Sequence, residues 1–396
     1  MKPKVVFLID TLQTGGAERS LLEIAKCFKK YDPVFVQLFD KRHDLKPEFD
    51  AAGITVIDLN LKDTFQYRKM ARQAYAILND LHPVLIHSTL FKSDMVSRAL
   101  ADLWQVPLIN SLVNNSYSRQ RYHAEPFSVK IKLWLLQQWD AITAKRVTLF
   151  LSNSESIRMT NARALKLHPD RIKVIYRGRS VKPFTQVTNH HMEVLRNELN
   201  LINKKIFLNV SRLIERKGQL DLIRAFAQVC NQRNDCILLI AGEGPFRERL
   251  EHEVRVLSLK DQVRFIGNRN DVPLLLKASD YFVFPSHYEG LPGALIEAMF
   301  ARVPILASSI PENRECLNEN MALFHEVGNI NELASQMMKL MEDSHRKERT
   351  DQAFDFALIH FEISKVAEQY EALYDTLVRG VTTRADASKL FSCNSE

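Results

Sequence analysis

The chain has few cysteines, and Cys27, Cys230, Cys236, Cys316 and Cys393 are odd in number, scattered, and form no C-x-x-C pair. That argues against a disulfide-stapled domain and a cysteine-based zinc site, and buried free thiols in a reducing cytoplasm are expected. No D-x-D occurs, so no obvious carboxylate pair would hold a divalent metal against a diphosphate. No metal and no other cofactor is therefore expected. No apolar run approaches the roughly 18 residues that suggest a membrane span. Met1-Lys2-Pro3-Lys4 leads into only a short apolar stretch before Asp10, so neither a secreted nor a membrane-spanning protein is expected. No nucleic-acid-binding module is recognisable, which makes nucleic acid a poor candidate partner.

What is present suits a globular protein of two or three domains: 396 residues, 46% hydrophobic and 26% charged. The net charge of +7 is unevenly spread. Residues 1–190 carry 29 basic and 17 acidic side chains, a surplus of twelve; residues 191–396 carry 25 and 30, a deficit of five. A basic first half attracts an anionic partner, such as an acidic membrane surface or a phosphorylated acceptor, unless it is only a solvated basic surface.

The stretch Phe284–Glu297, FPSHYEGLPGALIE, organises the rest. It follows an apolar run at Tyr281–Phe284 and precedes the apolar-periodic Ala294, Leu295, Ala298 and Met299, so it reads as a strand-to-helix crossover. Pro292 suits the first helical position, and Gly290 and Gly293 let a ligand approach the backbone. The helix start then offers free N–H groups and a positive dipole end to a phosphate. Glu289 and Glu297 flank that mouth. Two carboxylates make poor phosphate ligands but good acceptors for sugar and ribose hydroxyls; a plain helix cap with a solvated acid uses the same residues.

Apolar runs at Val5–Ile9, Pro33–Phe39, Thr55–Leu59, Val84–His87, Pro107–Ser111, Val147–Ser152 and Ile172–Tyr176 alternate with helical stretches, the βαβ pattern of an open parallel sheet. After the first, Gly15-Gly16 opens a helix, where ligands bind in such sheets. The pattern fades between Val181 and Lys205 and restarts at Ile206–Val210, Cys236–Ala241, Val263–Ile266, Tyr281–Phe284 and Pro304–Ala307. The predicted fold is α/β, with two Rossmann-like doubly wound domains facing a cleft. The expected divisions are 1–183, a linker at 184–205, 206–360, a terminal helix at 361–379 packing back toward the first domain, and a disordered tail at 380–396. Arg212 and Lys217 stand in a strand-to-helix loop relaxed by Gly218 and could neutralise a diphosphate. Gly242-Glu243-Gly244-Pro245 is by itself only a turn after a strand.

Together these pieces resemble retaining glycosyltransferase family 4, of GT-B fold, over roughly residues 4 to 378. The motifs that carry the resemblance are Gly15-Gly16-Ala17-Glu18-Arg19, Ser211-Arg212-Leu213 through Lys217-Gly218, Gly242-Glu243-Gly244-Pro245, Phe265-Ile266-Gly267, Pro285-Ser286, Glu289-Gly290-Leu291-Pro292 and Glu297-Ala298-Met299. No one of them is decisive, but the ordered set is highly specific. The resemblance implies that Arg212 and Lys217 hold a nucleotide diphosphate and that Glu297 accepts the ribose hydroxyls. It further implies that Glu289 contacts the donor sugar and that the backbone of Gly290, Leu291, Pro292 and Gly293 lines the phosphate and sugar site, with Gly242 beside it. Gly15 and Gly16 would let a loop of the first domain close over the diphosphate. The implied catalytic set is Glu289, Arg212 and Lys217, and the implied reaction is metal-independent transfer of a hexose with retention at the anomeric carbon.

The sequence departs from that pattern in two places. Where the family often has a His after its fifth strand, Val113 stands here; His87, Asn114 and His123 are the available substitutes as donor-sugar partner. Arg302 stands where the family commonly has Gly, and reads as a surface variation. The segment Tyr117–Arg146 interleaves Arg119, Arg121, Lys130, Lys132, Lys145 and Arg146 with Phe127, Leu133, Trp134, Leu136 and Trp139, which suits either a peripheral membrane contact or a core helix with solvated lysines. The expected protein is a cytoplasmic transferase, free or at the inner face of the membrane, that uses a nucleotide-sugar donor and a lipid-linked or saccharide acceptor in making lipopolysaccharide, capsule or exopolysaccharide. A nucleotide-sugar 2-epimerase and a catalytically inactive nucleotide-sugar-binding partner subunit are the rival readings.

Overall fold

The computed structural model describes residues 2–13, 16–39, 44–114, 116–117, 121–122 and 125–380. The chain divides into two compact units, one formed by residues 1–178 and 363–396 and the other by Arg179–Glu362.

The first unit is built on seven parallel strands: β1 (Lys4–Ile9), β2 (Asp32–Gln37), β3 (Thr55–Asp58), β4 (Leu85–Thr89), β5 (Leu108–Leu112), β6 (Leu149–Ser152) and β7 (Ile172–Val174). Their spatial order is β3-β2-β1-β4-β5-β6-β7. The chain therefore winds outward from β1 in one direction and, after β3, returns to wind outward in the other. From Val5 to Ile9 β1 is continuously apolar because both of its faces are covered. Val5, Phe7 and Ile9 join one core cluster, while Val6 and Leu8 join the cluster on the opposite face.

The terminal helix Ile363–Gly380 belongs to the first of these clusters, through Val366, Ala367, Tyr370, Tyr374 and Leu377. Its buried Glu371 accepts hydrogen bonds from the backbone N–H of Lys29 (2.8 Å), Lys30 (2.6 Å) and Tyr31 (3.2 Å). A carboxylate taken out of water is thus satisfied by a turn that leads into β2, and it fastens the helix to the sheet.

The second unit repeats the plan with β8 (Lys205–Val210), β9 (Cys236–Ala241), β10 (Val263–Gly267), β11 (Tyr281–Phe284), β12 (Ile305–Ser308) and β13 (Leu323–His325), all parallel. The order is β10-β9-β8-β11-β12-β13, so winding reverses between β8 and β11. Ligands in open sheets of this kind bind outside the carboxyl ends of the strands at that reversal.

The structure differs from the sequence-based expectation in three features. Residues 184–205 are not a linker: they carry the helix Asn189–Glu198 and are built into the second unit. Phe184 packs on Phe300 with ring centroids 5.9 Å apart, and Arg196 donates to Asp280 Oδ2 at 3.0 Å and to Ala278 O at 2.9 Å. Polar composition hides this, because the segment is held by a few anchors rather than by an apolar stripe. The helix Arg346–His360 and the three-residue strand β13 are also absent from the predicted pattern, the first for want of an apolar periodicity and the second for its shortness. Gly15, His123 and the tail beyond Gly380 lie outside the described residues.

Candidate functional site

The loops that follow β8 and β11 meet at the reversal point of the second sheet. Gly218, which ends the β8 loop, has φ +69°, and a Cβ there would lie 2.1 Å from Pro285 O at the end of β11. Gly242 and Gly244 do the same for the β9 loop: a Cβ on either would meet Ser211 O at 2.0 Å or Leu213 O at 2.3 Å. Glycine is thus required by close backbone approach, and it draws three loops into one surface. Gly218→Ala is expected to cost about 2–3 kcal/mol of stability in thermal unfolding, from left-handed strain plus the clash.

Within this surface Lys217 Nζ bonds Glu289 Oε1 at 2.5 Å, and both side chains are largely buried, 13% and 7% exposed. Arg216 Nη1 approaches the other carboxylate oxygen at 3.5 Å, donates to Tyr288 O at 2.8 Å and lies over the Tyr288 ring. Burial holds the Lys217 pKa below its ordinary value, Glu289 opposes that shift, and the neighbouring Arg216 and Arg212 add to it. Arg212 itself is exposed. One buried carboxylate therefore meets two cations, with Arg212 close enough to Lys217 to act on its charge, leaving a local excess of positive charge. His287 extends the cluster: its backbone N–H donates to Arg216 O at 2.8 Å, and its Nε2 lies 2.8 Å from Asp221 Oδ2.

The helix Gly293–Ala301 begins beside this cluster. Pro292 is its N-cap residue rather than its first helical residue, since Pro292 O already accepts from Leu295 N at 3.1 Å. The N–H groups of Gly293 and Ala294, at the helix start, have no carbonyl one turn back within the helix, and they add a positive dipole end to the same surface. Glu297 lies one turn inside and accepts from Arg179 Nε at 3.0 Å. Arg179 also closes on Gly293, where a Cβ would sit 2.4 Å from its Nη2. Sequence reasoning missed both Arg179 and Arg216. The Arg177-Gly178-Arg179 run after β7 is the one signal available for the first, and Arg216 stands beside Lys217 in a motif already singled out.

The candidate residues of the first unit fare differently. His87 is fully buried: its Nδ1 is 2.8 Å from Tyr374 Oη, its Nε2 is 2.7 Å from Ser111 Oγ, and its ring stacks on Phe7 and Tyr370. Both ring nitrogens are committed to the core, so it is not placed to touch a donor sugar. Burial lowers its pKa to about 3. Between pH 6.5 and about 3 the unfolded imidazole binds a proton that the folded one refuses, so its contribution to stability is lost as pH falls through that window. The nearby buried Asp94, raised to about 8 chiefly by burial, works in the opposite sense. The His87 effect is therefore read as a difference: wild type should lose roughly 3 kcal/mol more than His87→Gln between about pH 7 and 4 in urea unfolding.

Asn114 is exposed just beyond β5, accepts a hydrogen bond from Ser116 Oγ through its side chain, and accepts another from Asn161 Nδ2 through its carbonyl at 3.2 Å. Gly16 opens the helix Gly16–Ala25 at the carboxyl end of β1 and is exposed. Arg302, with φ +55°, is the C-cap of the helix Gly293–Ala301, a left-handed position that explains a preference for Gly; here its guanidinium lies over Phe354 and pairs with Asp351.

Two Rossmann-like sheets of this order define the GT-B architecture. A crystal structure of HepE from Anabaena in complex with UDP and glucose has the same fold, with a TM-score of 0.80 at 22% identity, covering 95% of this chain and 100% of that one. The family model for glycosyl transferases group 1 matches residues 192–354, and the model for glycosyltransferase family 4 matches residues 14–182. The chain belongs to the group 1 glycosyltransferases. It is 26% identical over 311 residues to an Escherichia coli UDP-Gal:α-D-GlcNAc-diphosphoundecaprenol α-1,3-galactosyltransferase, covering 77% of this chain and 78% of that one. It is also 25% identical over 318 residues to a Staphylococcus aureus capsular polysaccharide biosynthesis glycosyltransferase, covering 79% of this chain and 83% of its relative.

Proposed function

We propose that the protein transfers a hexose from a nucleotide-sugar donor to a lipid-linked or saccharide acceptor in the synthesis of a bacterial surface glycan, with retention at the anomeric carbon. The observation that carries this reading is the pairing of Lys217 and Arg216 with Glu289, with Arg212 beside Lys217, just ahead of the helix Gly293–Ala301. The relatives named for an undecaprenol-linked acceptor and for a capsule support the acceptor class.

In this reading the donor diphosphate sits against Arg212, Lys217 and the N–H groups of the helix start, while Glu289 and the backbone at Gly290, Leu291 and Gly293 receive the sugar. Glu297 accepts the ribose hydroxyls, with Arg179 holding its carboxylate in place. As the bond from the anomeric carbon to the phosphate oxygen breaks, the electron pair leaves with the diphosphate. Fixed cations then stabilise the growing charge more than they stabilise the bound ester, which is the condition for lowering the barrier. The departing phosphate oxygen takes the acceptor hydroxyl proton on the face where the new bond forms, which preserves configuration without a strong base. The protein's own cations supply the charge, so chelator treatment is expected to leave turnover unchanged.

The test is a panel of nucleotide sugars scored by thermal stabilisation of the purified protein, followed by product detection with and without membrane extract. One donor should raise the melting temperature by mass action. If none does, the transferase reading loses its support; if turnover is equal with a water-soluble acceptor alone, the lipid-linked acceptor is excluded.

A further inference from the structure

The helix Phe127–Thr143 is turned inside out relative to an ordinary surface helix. Of its residues only Leu133 and Asp140 are buried. Phe127 (78% exposed), Ile131, Trp134, Leu135 and Ile142 (69%) stand in solvent at spacings of three, four or seven residues, which places them along one side of the helix. The segment Phe127–Arg146 contains Lys130, Lys132, Lys145 and Arg146 but a single acid, Asp140, and that acid is turned inward onto Arg98 Nη1 at 2.8 Å. The outward face of the helix itself is therefore apolar and cationic, while Arg146, beyond its end, pairs with Asp102 Oδ2 at 3.6 Å.

Beside this face lies a cavity of about 750 Å³ bounded by the helices Tyr67–Leu78, Phe91–Trp104 and Phe127–Thr143. Its wall is aromatic, with Tyr67 and Trp139 rings 5.3 Å apart, and its mouth is cationic, with the exposed Arg68 and Arg72 joined by Arg146. A large exposed apolar patch marks an interaction site. Apolar side chains beside clustered cations fit a bilayer, the apolar groups entering the acyl boundary and the cations meeting the headgroups.

We infer that this face docks onto an anionic phospholipid bilayer, and that the cavity between the three helices receives a lipid phosphate. This docking rests on the proposed lipid-linked acceptor, which requires the enzyme to meet a membrane, and it does not involve the donor cluster.

The test is co-sedimentation of the full chain with vesicles of phosphatidylglycerol and phosphatidylcholine or of phosphatidylcholine alone. Wild type should bind the anionic vesicles more tightly, with an affinity that falls as salt rises. Trp134→Glu with Leu135→Glu should abolish binding to both vesicles, while Arg68→Gln with Arg72→Gln should reduce binding to anionic vesicles about thirtyfold and so narrow the preference. These residues are exposed, so unchanged melting temperatures will show that both variants fold. Donor-induced stabilisation should persist in both variants, so a failure of docking is distinguishable from a failure of the donor site. Equal binding to the two vesicle types, absence of binding by wild type, or a dimer in sedimentation that disappears in Trp134→Glu would overturn the inference.

Discussion

Lys217→Met is expected to abolish sugar transfer and to destabilise the second unit, two effects that a double variant can separate. Lys217 and Glu289 are 2.5 Å apart and largely buried, so removing the ammonium strands a carboxylate that water cannot reach well, and only Arg216 at 3.5 Å remains to offset it. Breaking such a pair costs about 3 kcal/mol or more. Lys217→Met combined with Glu289→Gln removes both charges, and should recover most of that stability in denaturant unfolding. Transfer should not recover, because the diphosphate would still lack its cation and the sugar its carboxylate. If the pair were only structural, the double variant would regain activity along with stability. A charge-assisted hydrogen bond to the bound diphosphate is worth about 1–3 kcal/mol, so the Lys217 variant should bind the donor roughly tenfold to a hundredfold more weakly in calorimetry.

The second large effect concerns Glu297. In the proposed role of acceptor for the ribose hydroxyls, it should make wild type prefer a ribonucleotide over its 2′,3′-dideoxy analogue, and Glu297→Ala should lose about tenfold to a hundredfold in affinity for the ribonucleotide only. Equal losses for both analogues would mean that Glu297 acts through Arg179 and the helix start, not on the sugar. Arg179→Ala is informative in the same assay. If Arg179 only orients the carboxylate, its removal should weaken discrimination between the two analogues while leaving diphosphate binding intact.

Much of this site is legible in the sequence. The loops after β8 and β11 carry residues whose chemistry is local: glycines forced by backbone approach, a helix start, and charges at fixed spacing from a strand end. Such signals survive in sequence because one strand, one turn and one helix determine them. Arg179 is not legible, since it reaches Glu297 across 118 residues and nothing in its own surroundings marks the pairing. His87 misleads for the complementary reason. A histidine at a strand's carboxyl end looks the same whether it faces a ligand or the core, and only the return of the terminal helix, which brings Tyr370 and Tyr374 against the ring, decides for the core. The two sheets are legible because buried parallel strands are continuously apolar; the helix Arg346–His360 is not, because its apolar residues do not fall into a stripe.

The most direct test is the anomeric configuration of the product. Purified wild-type protein, supplied with the stabilising α-linked nucleotide sugar and its acceptor, should give an α-linked product by NMR, and Lys217→Met should give none. A β-linked product, or transfer by Lys217→Met at the wild-type rate, would contradict retention or the diphosphate site respectively.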